Sequence, residues 1–255
     1  MNNLTSRIAR LVELRAMDPL ACSVIKGIHV EGPFMNAERG YVGAHPPQCV
    51  IPASEEAAKL LISAGQGLVR LVTLAPECDA GFRTTSYLAQ QGVVVSAGHC
   101  NPSLEVLKGA VESGLSMFTH VGNGCPAEMH RHENIIQRAL SLSDKIWLCF
   151  IPDGVHVPFY VLKNYLHSTS LDRVIFVTDA ISAARLGPGT YSLAGWDIKV
   201  GEDLVARSPD SSHFVGSTVT VPRIKVNAAT ALGLTAAEIE QVLDLNPRRA
   251  LLEAR

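Results

Sequence analysis

Short, uniformly apolar runs rich in Val, Ile and Leu recur along the chain at residues 24–30, 68–74, 93–97, 116–120, 146–151 and 174–178. They are too short for helices and too evenly apolar for half-exposed strands, so they predict parallel strands buried on both faces. The stretches between them carry helix-end signals. Ser54 followed by Glu55 and Glu56 starts a helix that stops near Gly65, Asn101-Pro102 starts another that stops at Gly114, and Thr235-x-x-Glu238 is a capping-box pattern opening a last helix. The β-α-β-α alternation predicts a parallel sheet with helices outside. The texture changes at about residues 188–213, where Gly, Asp and Ser punctuate alternating segments; this predicts a β-hairpin-like insertion ahead of a seventh short strand at 214–216. The rest reads as one catalytic domain over residues 1–255.

Composition narrows the function classes. With 255 residues, 47% of them hydrophobic, the chain can bury a large core and is expected to be soluble and globular. Its 22 basic and 24 acidic residues are interspersed and leave a net charge of -2, which argues against nucleic acid or a membrane surface and for a small polar substrate. No apolar run approaches the roughly 18 residues of a membrane span, and the first ten residues lack a signal-peptide core, so a cytoplasmic protein is expected. Six cysteines without any C-x-x-C spacing fit reduced thiols.

The chemistry lies at strand ends. Glu31, His99, His120, Asp153 and Asp179 each follow an apolar run. In a (β/α)₈ barrel the carboxyl ends of the strands converge on one mouth, so these five residues predict a single site. Two imidazoles and a carboxylate suit Zn²⁺ or a similar first-row divalent ion (Fe²⁺, Co²⁺ or Mn²⁺) with an open position for water, whereas Mg²⁺ or Ca²⁺ would favour oxygen ligands. Such a site still needs a base for the water proton, and Asp179, after the last strong run, is the candidate.

Nine segments in order now carry a resemblance: Gly27-Ile-His-Val-Glu-Gly-Pro-Phe, Gly43-Ala-His-Pro, Val72-Thr-Leu-Ala-Pro-Glu, Ala97-Gly-His-Cys-Asn, Phe118-Thr-His-Val-Gly-Asn, Asp153-Gly-Val-His, Val177-Thr-Asp-Ala, Val215-Gly-Ser-Thr and Leu245-Asn-Pro. The chain resembles the N-acetylglucosamine-6-phosphate deacetylases of the amidohydrolase superfamily. The resemblance implies a metal-dependent hydrolase of TIM-barrel fold that removes the N-acetyl group of an amino-sugar phosphate. By matched position, Glu31, His99 and His120 would hold one divalent metal ion, and Asp179 would act as general base and then acid. Ala44 and His45 would lie at the acetamide, His45 contacting its carbonyl. Asn123 and Gly124 would touch the sugar, and Arg131 and His156 the phosphate. Residues Phe214, Val215, Gly216 and Ser217 would close over the substrate. A functional Arg131 would act across a homodimer interface. His29, with no ligand role in the family, is assigned to packing inside the barrel. His130 and His132 read as exposed loop histidines.

The family pattern also includes a small β-sandwich and a first barrel strand bearing His-x-His, and the segments matched here begin at its second strand. An incomplete (β/α)₈ barrel is therefore expected, with an unpaired edge on each side of the gap. Two rival readings stay open: another amidohydrolase acting on a different N-acyl sugar or cyclic amide, and a non-catalytic relative that only binds an amino-sugar phosphate.

Overall fold

The computed structural model describes residues 1–193, 195–211 and 213–252; Ala194, within the predicted insertion, lies outside the described residues. Two helices, α1 (Asn2–Met17) and α2 (Pro19–Val24), precede a six-stranded parallel sheet with strands in sequential order. The strands are β1 (Ile28–Glu31), β2 (Val69–Leu74), β3 (Val94–Ala97), β4 (Leu115–Phe118), β5 (Trp147–Phe150) and β6 (Val174–Phe176). Helices α3 (Glu55–Gly65), α4 (Arg83–Gln90), α5 (Leu104–Glu112), α6 (Ile135–Leu140) and α7 (Phe159–His167) form the crossovers. The sheet curls into a half-barrel with β1 and β6 as its edges. Strands β7 (Gly189–Leu193), β8 (Trp196–Val200) and β9 (Ala206–Arg207) then form a separate antiparallel sheet, and α8 (Val221–Asn227), α9 (Ala236–Glu240) and α10 (Asn246–Leu252) follow.

Each run of Val, Ile and Leu is apolar on both faces because both faces are covered. Outward-facing Val30, Val72, Val95, Phe118 and Phe176 join the main core beneath the helices, which contribute Leu61, Leu88, Leu107 and Leu162. Inward-facing Val94, Met117, Trp147, Cys149 and Ile175 form a second cluster, into which α10 inserts Ala250. Above this floor lies a layer of hydroxyls: Thr73 Oγ1 is 2.7 Å from Thr119 Oγ1, which is 2.7 Å from Ser96 Oγ. The layer is this tight only because Gly98 lacks a side chain; a Cβ there would lie 2.7 Å from the Thr73 methyl. Glu31, His99 and His120 stand above the hydroxyls, at the carboxyl ends of the strands.

Several expectations need correction. The run at 24–30 is not all strand: Asp18 caps α2 through the amides of Leu20 and Ala21, Pro19 occupies its first turn, and Val24 is its last residue, so β1 begins only at Ile28. The helix expected from Asn101-Pro102 begins at Leu104, because the Ser103 side chain accepts the Val106 amide as its cap. The strand expected at 214–216 is absent from the half-barrel; that segment makes only isolated bridges, Arg207 with Phe214 and, just beyond it, Ala180 with Ser217. Among the described residues the barrel sheet therefore has six strands and not seven. The helix ends marked by Ser54 and by Thr235 with Glu238 stand as read, the latter as a full capping box.

Candidate active site

Glu31 ends β1 with its side chain on the inner face, where it meets two histidines from beyond β3 and β4. His120 Nε2 is 2.9 Å and His99 Nε2 3.2 Å from Glu31 Oε1. The other carboxylate oxygen, Oε2, faces His45 Nε2 at 3.9 Å, and the donor atoms of Glu31, His45 and His99 all lie within 4.8 Å of one another. Glu31, His45 and His99 thus form one three-donor cluster, and His120 approaches the same carboxylate at Oε1. The rings of His45 and His99 meet edge to face at 4.7 Å, and those of His99 and His120 at 5.0 Å.

The backbone is unusual at these positions. His99, His120 and Asp179 all have left-handed backbones, with φ of 52°, 31° and 48°. Residues other than Gly seldom adopt this conformation, which costs about 1–3 kcal/mol and clusters at functional sites. Here it turns each side chain back over the strand ends instead of along the following helix. Tyr41 O lies 2.7 Å from His99 Nδ1 and anchors the ring from the side away from Glu31. Two glycines give that ring its space: a Cβ on Gly43 would stand 2.8 Å from His99 Cε1, and one on Gly124 would stand 2.9 Å from His99 Nδ1.

The electrostatics follow from this crowding. Burial opposes ionisation of Glu31, but contacts with His120 and His99 prevail and hold its carboxyl well below the usual range. Burial likewise opposes the charged form of His120, yet Glu31 raises its pKa overall. Burial and then His99 push His45 down to about 4, so its ring is neutral at neutral pH. Asp179 is shifted up, chiefly by burial.

The donor set fits a first-row divalent ion. Donor atoms at about 2.0–2.2 Å from one tetrahedral centre are separated by roughly 3.3–3.5 Å, close to the separations seen around Oε1. Among the described residues, Nδ1 of His120 is buried without a hydrogen-bond partner.

The remaining sequence-predicted residues are spread around this cluster. Asn123 turns beside the cluster, its backbone and side-chain amides both donating to His120 O at 2.9 and 3.2 Å, and Gly124 follows with φ of 61°. His156 is held by Asp153, whose Oδ2 is 2.6 Å from His156 Nδ1, and packs at 5.1 Å from the Phe214 ring, which is itself exposed. Asp153, read from the strand-end pattern as a site residue, thus spends its carboxylate on His156 and on the amides of Val155 and His156. Ser217 is buried and brackets Asp179: its amide donates to Asp179 O and its carbonyl accepts from Ile181 N, both at 2.9 Å. Gly216 sits where a Cβ would be 3.2 Å from Asp179 O. Val215 and Ala44 belong to a small core under β7–β9, with Ile198, Val200, Ala206 and Ile181, so the loops bearing His45, Asp179 and Phe214 rest on one platform. Arg131 is exposed between β4 and α6 and makes no side-chain hydrogen bond or ion pair among the described residues.

His29 does not pack as expected. Its Nε2 is 2.8 Å from Thr73 Oγ1, but the residue is exposed, because β1 is an edge strand and the inner face beside it is open. Residues that sequence reasoning passed over include the Thr73, Ser96 and Thr119 hydroxyls and Glu77, whose Oε1 accepts from Asn36 Nδ2 at 3.0 Å and Asn101 N at 2.5 Å. Asn36 N in turn donates to His99 O at 3.0 Å, so Glu77 ties together the loops after β1 and β3. The signal for the hydroxyls was present as polar positions alternating with Val, Leu and Ala inside the runs.

No family model matches the chain. Curated relatives do. An N-acetylgalactosamine-6-phosphate deacetylase of Escherichia coli O157:H7 is 29% identical over 89% of this chain and 59% of its own length. An N-acetylglucosamine-6-phosphate deacetylase of Danio rerio is 31% identical over 94% of this chain and 60% of its own. Among solved structures, an N-acetyl-D-glucosamine-6-phosphate deacetylase mutant of Mycobacterium smegmatis in complex with N-acetyl-D-glucosamine-6-phosphate superposes with a TM-score of 0.88 at 28% identity, over 98% of this chain and 64% of that one. The Thermotoga maritima N-acetylglucosamine-6-phosphate deacetylase gives 0.84 at 27% identity, over 98% of this chain and 66% of that one. The chain spans about 50% to 60% of the length of the curated relatives it matches. Over most of its own length, this chain is a relative of the N-acetylglucosamine-6-phosphate deacetylases.

Proposed function

We propose that the chain hydrolyses the N-acetyl group of N-acetylglucosamine 6-phosphate, giving glucosamine 6-phosphate and acetate, at the strand-end cluster around Glu31. The observation that carries this reading is the convergence of His99 and His120 on one Glu31 oxygen, at 3.2 and 2.9 Å. A divalent ion held by Glu31, His99 and His120, Zn²⁺ first and Fe²⁺, Co²⁺ or Mn²⁺ as alternatives, would supply an acidified water and polarise the amide carbonyl. Asp179 takes the water proton and returns it to the departing amine. His45 donates to the carbonyl as negative charge grows there. Asn123 and Gly124 border the sugar, and residues 214–217 cover it. His156, oriented by Asp153, and Arg131, reaching across a homodimer contact, hold the phosphate. On this reading the six strands are part of a (β/α)₈-type barrel within one catalytic domain, residues 188–213 are an insertion in it, and the enzyme works in the cytoplasm.

Release of acetate from N-acetylglucosamine 6-phosphate by the zinc-loaded chain, assayed beside N-acetylgalactosamine 6-phosphate and unphosphorylated N-acetylglucosamine, tests the proposal. Faster release from the first is expected. A second reading, an amidohydrolase of unphosphorylated N-acyl sugars, draws on Arg131, which is exposed and contacts none of the cluster; preference for the unphosphorylated sugar would establish it. Metal uptake without turnover of any of the three would overturn the enzymatic reading.

A further inference from the structure

His45 stands in a relation to Glu31 that its assignment to the substrate carbonyl leaves unexplained. Its Nε2 points at Glu31 Oε2 from 3.9 Å, too far for a hydrogen bond. Among the described residues its imidazole makes no hydrogen bond at all. A half-buried ring aimed at a carboxylate across that gap is oriented by something other than direct contact. Two donors on one ion, each with bonds of about 2.0–2.2 Å, are separated by roughly 3.3–3.5 Å in a tetrahedral set and up to about 4.2 Å when more nearly opposite, as in a five-coordinate set. The observed gap lies inside that span, and the donors of Glu31, His45 and His99 all fall within 4.8 Å of each other. The loop is built to hold this approach: Gly43 has φ of 59° and no room for a side chain against His99, while Ala44 packs onto the small core under β7–β9.

We propose that His45 is a fourth protein ligand of the resident divalent ion while substrate is absent, and that it exchanges the ion for the substrate carbonyl when substrate binds. This rests on the deacetylase reading, and it adds a resting state in which the site is closed by four protein donors instead of three. Closed sites of this kind hold their ion more tightly than sites with an open position, and opening is then coupled to the arrival of substrate.

The test is ion binding by the full chain after chelator treatment, measured for the wild type, His45→Ala and His45→Gln by Zn²⁺ competition against a chromogenic chelator, with thermal unfolding to verify folding. A fall in Zn²⁺ affinity of at least about tenfold in both variants is expected, as is a changed visible spectrum of bound Co²⁺. In an Asp179→Asn background, adding N-acetylglucosamine 6-phosphate should move the Co²⁺ spectrum of the chain toward that of the His45→Ala form. Should His45→Ala fail to fold, His45→Gln carries the comparison. Wild-type affinity and an unaltered Co²⁺ spectrum in a folded variant would overturn the ligand role. A wild-type chain that takes up neither Zn²⁺ nor Co²⁺ would instead overturn the deacetylase reading together with it.

Discussion

Glu31 Oε1 and His120 Nε2 lie 2.9 Å apart although they are 89 positions apart in the chain, and the two intervening strands, β2 and β3, hold them there. The contact is a consequence of sheet curl: β1 and β4 are not neighbours, yet their carboxyl ends meet across the half-barrel. Removing the carboxylate charge should dismantle the donor set and leave the fold intact, because Glu31 belongs to neither apolar cluster. Glu31→Gln is expected to lower Zn²⁺ affinity by at least about tenfold, read by metal analysis after dialysis, with an unfolding temperature close to that of the metal-free wild type.

Gly124 bears on His99 from the other side. Its φ of 61° is expensive for alanine, about 1–2 kcal/mol, and the added Cβ would come within 2.9 Å of His99 Nδ1. Gly124→Ala should lower the unfolding temperature by roughly 2–8 °C and weaken ion binding as well. Gly67, also at positive φ but with nothing near its Cβ, provides the control: Gly67→Ala should show only the backbone cost. Equal ion affinity in the two variants would mean that the His99 ring tolerates displacement.

Much of this arrangement could be read in the chain itself, and the parts that could not share a cause. Each of the six runs contains a strand because burial on both faces imposes a continuous apolar composition, a local signal that survives without tertiary context. Strand-end residues such as His99 and Asp179 are visible for the same reason, as abrupt polar breaks. By contrast, Val24 is apolar yet closes a helix, because the Asp18 cap and Pro19 outrank it. His29 is exposed because its strand is an edge, a property of the whole sheet and not of the segment. Residues 214–216 have strand-like composition but are spent on the small sheet, where Phe214 bridges Arg207 and Val215 joins the core beneath it. The approach of His45 to Glu31 is set by Gly43 and Ala44 against two different partners, and no spacing in the sequence encodes it.

The Asp153–His156 pair should appear in the pH dependence of stability. Burial works against the Asp153 carboxylate, but His156 and the two amides prevail, so its pKa lies below the ordinary 3.8. A lowered carboxyl contributes stability that is present above the unfolded value and is lost as pH falls through the folded one. Thermal unfolding between about pH 2.5 and 6 should therefore show a steeper acid loss for the wild type than for Asp153→Asn. At pH 6 the variant should be less stable by about 1–3 kcal/mol, since both side chains are largely buried. Parallel curves for the two proteins would remove the pair from the account.

The platform under β7–β9 makes a separable prediction. Ile198 is 1% exposed at the centre of the small core that also receives Ala44, Ile181 and Val215, and it touches none of the candidate ion ligands. Ile198→Ala should cost about 2–5 kcal/mol within that sheet, loosening the loops of His45 and Asp179 together. Acetate release is then expected to fall while the Zn²⁺ stoichiometry at saturating Zn²⁺ stays at the wild-type value, and Ile198→Val should restore most of the rate. Loss of metal in step with activity would show that the platform supports the ion site itself.

Asp179 provides the sharpest division between holding an ion and performing a reaction. It shares the mouth with Glu31 and His120, but its backbone is fixed independently, by the Ser217 amide donating to Asp179 O, by Ile181 N donating to Ser217 O, and by the left-handed turn at φ 48°. The isosteric Asp179→Asn change keeps the size of the side chain and removes its capacity to accept a proton. A general base typically contributes 10²–10⁴ in rate, so kcat should fall by at least about a hundredfold with Zn²⁺ stoichiometry unchanged. Because the loss lies in proton transfer and not in binding, KM for N-acetylglucosamine 6-phosphate should move much less than kcat. Full activity in Asp179→Asn would sink the assigned role of the residue and require the base to be sought among the histidines around Glu31.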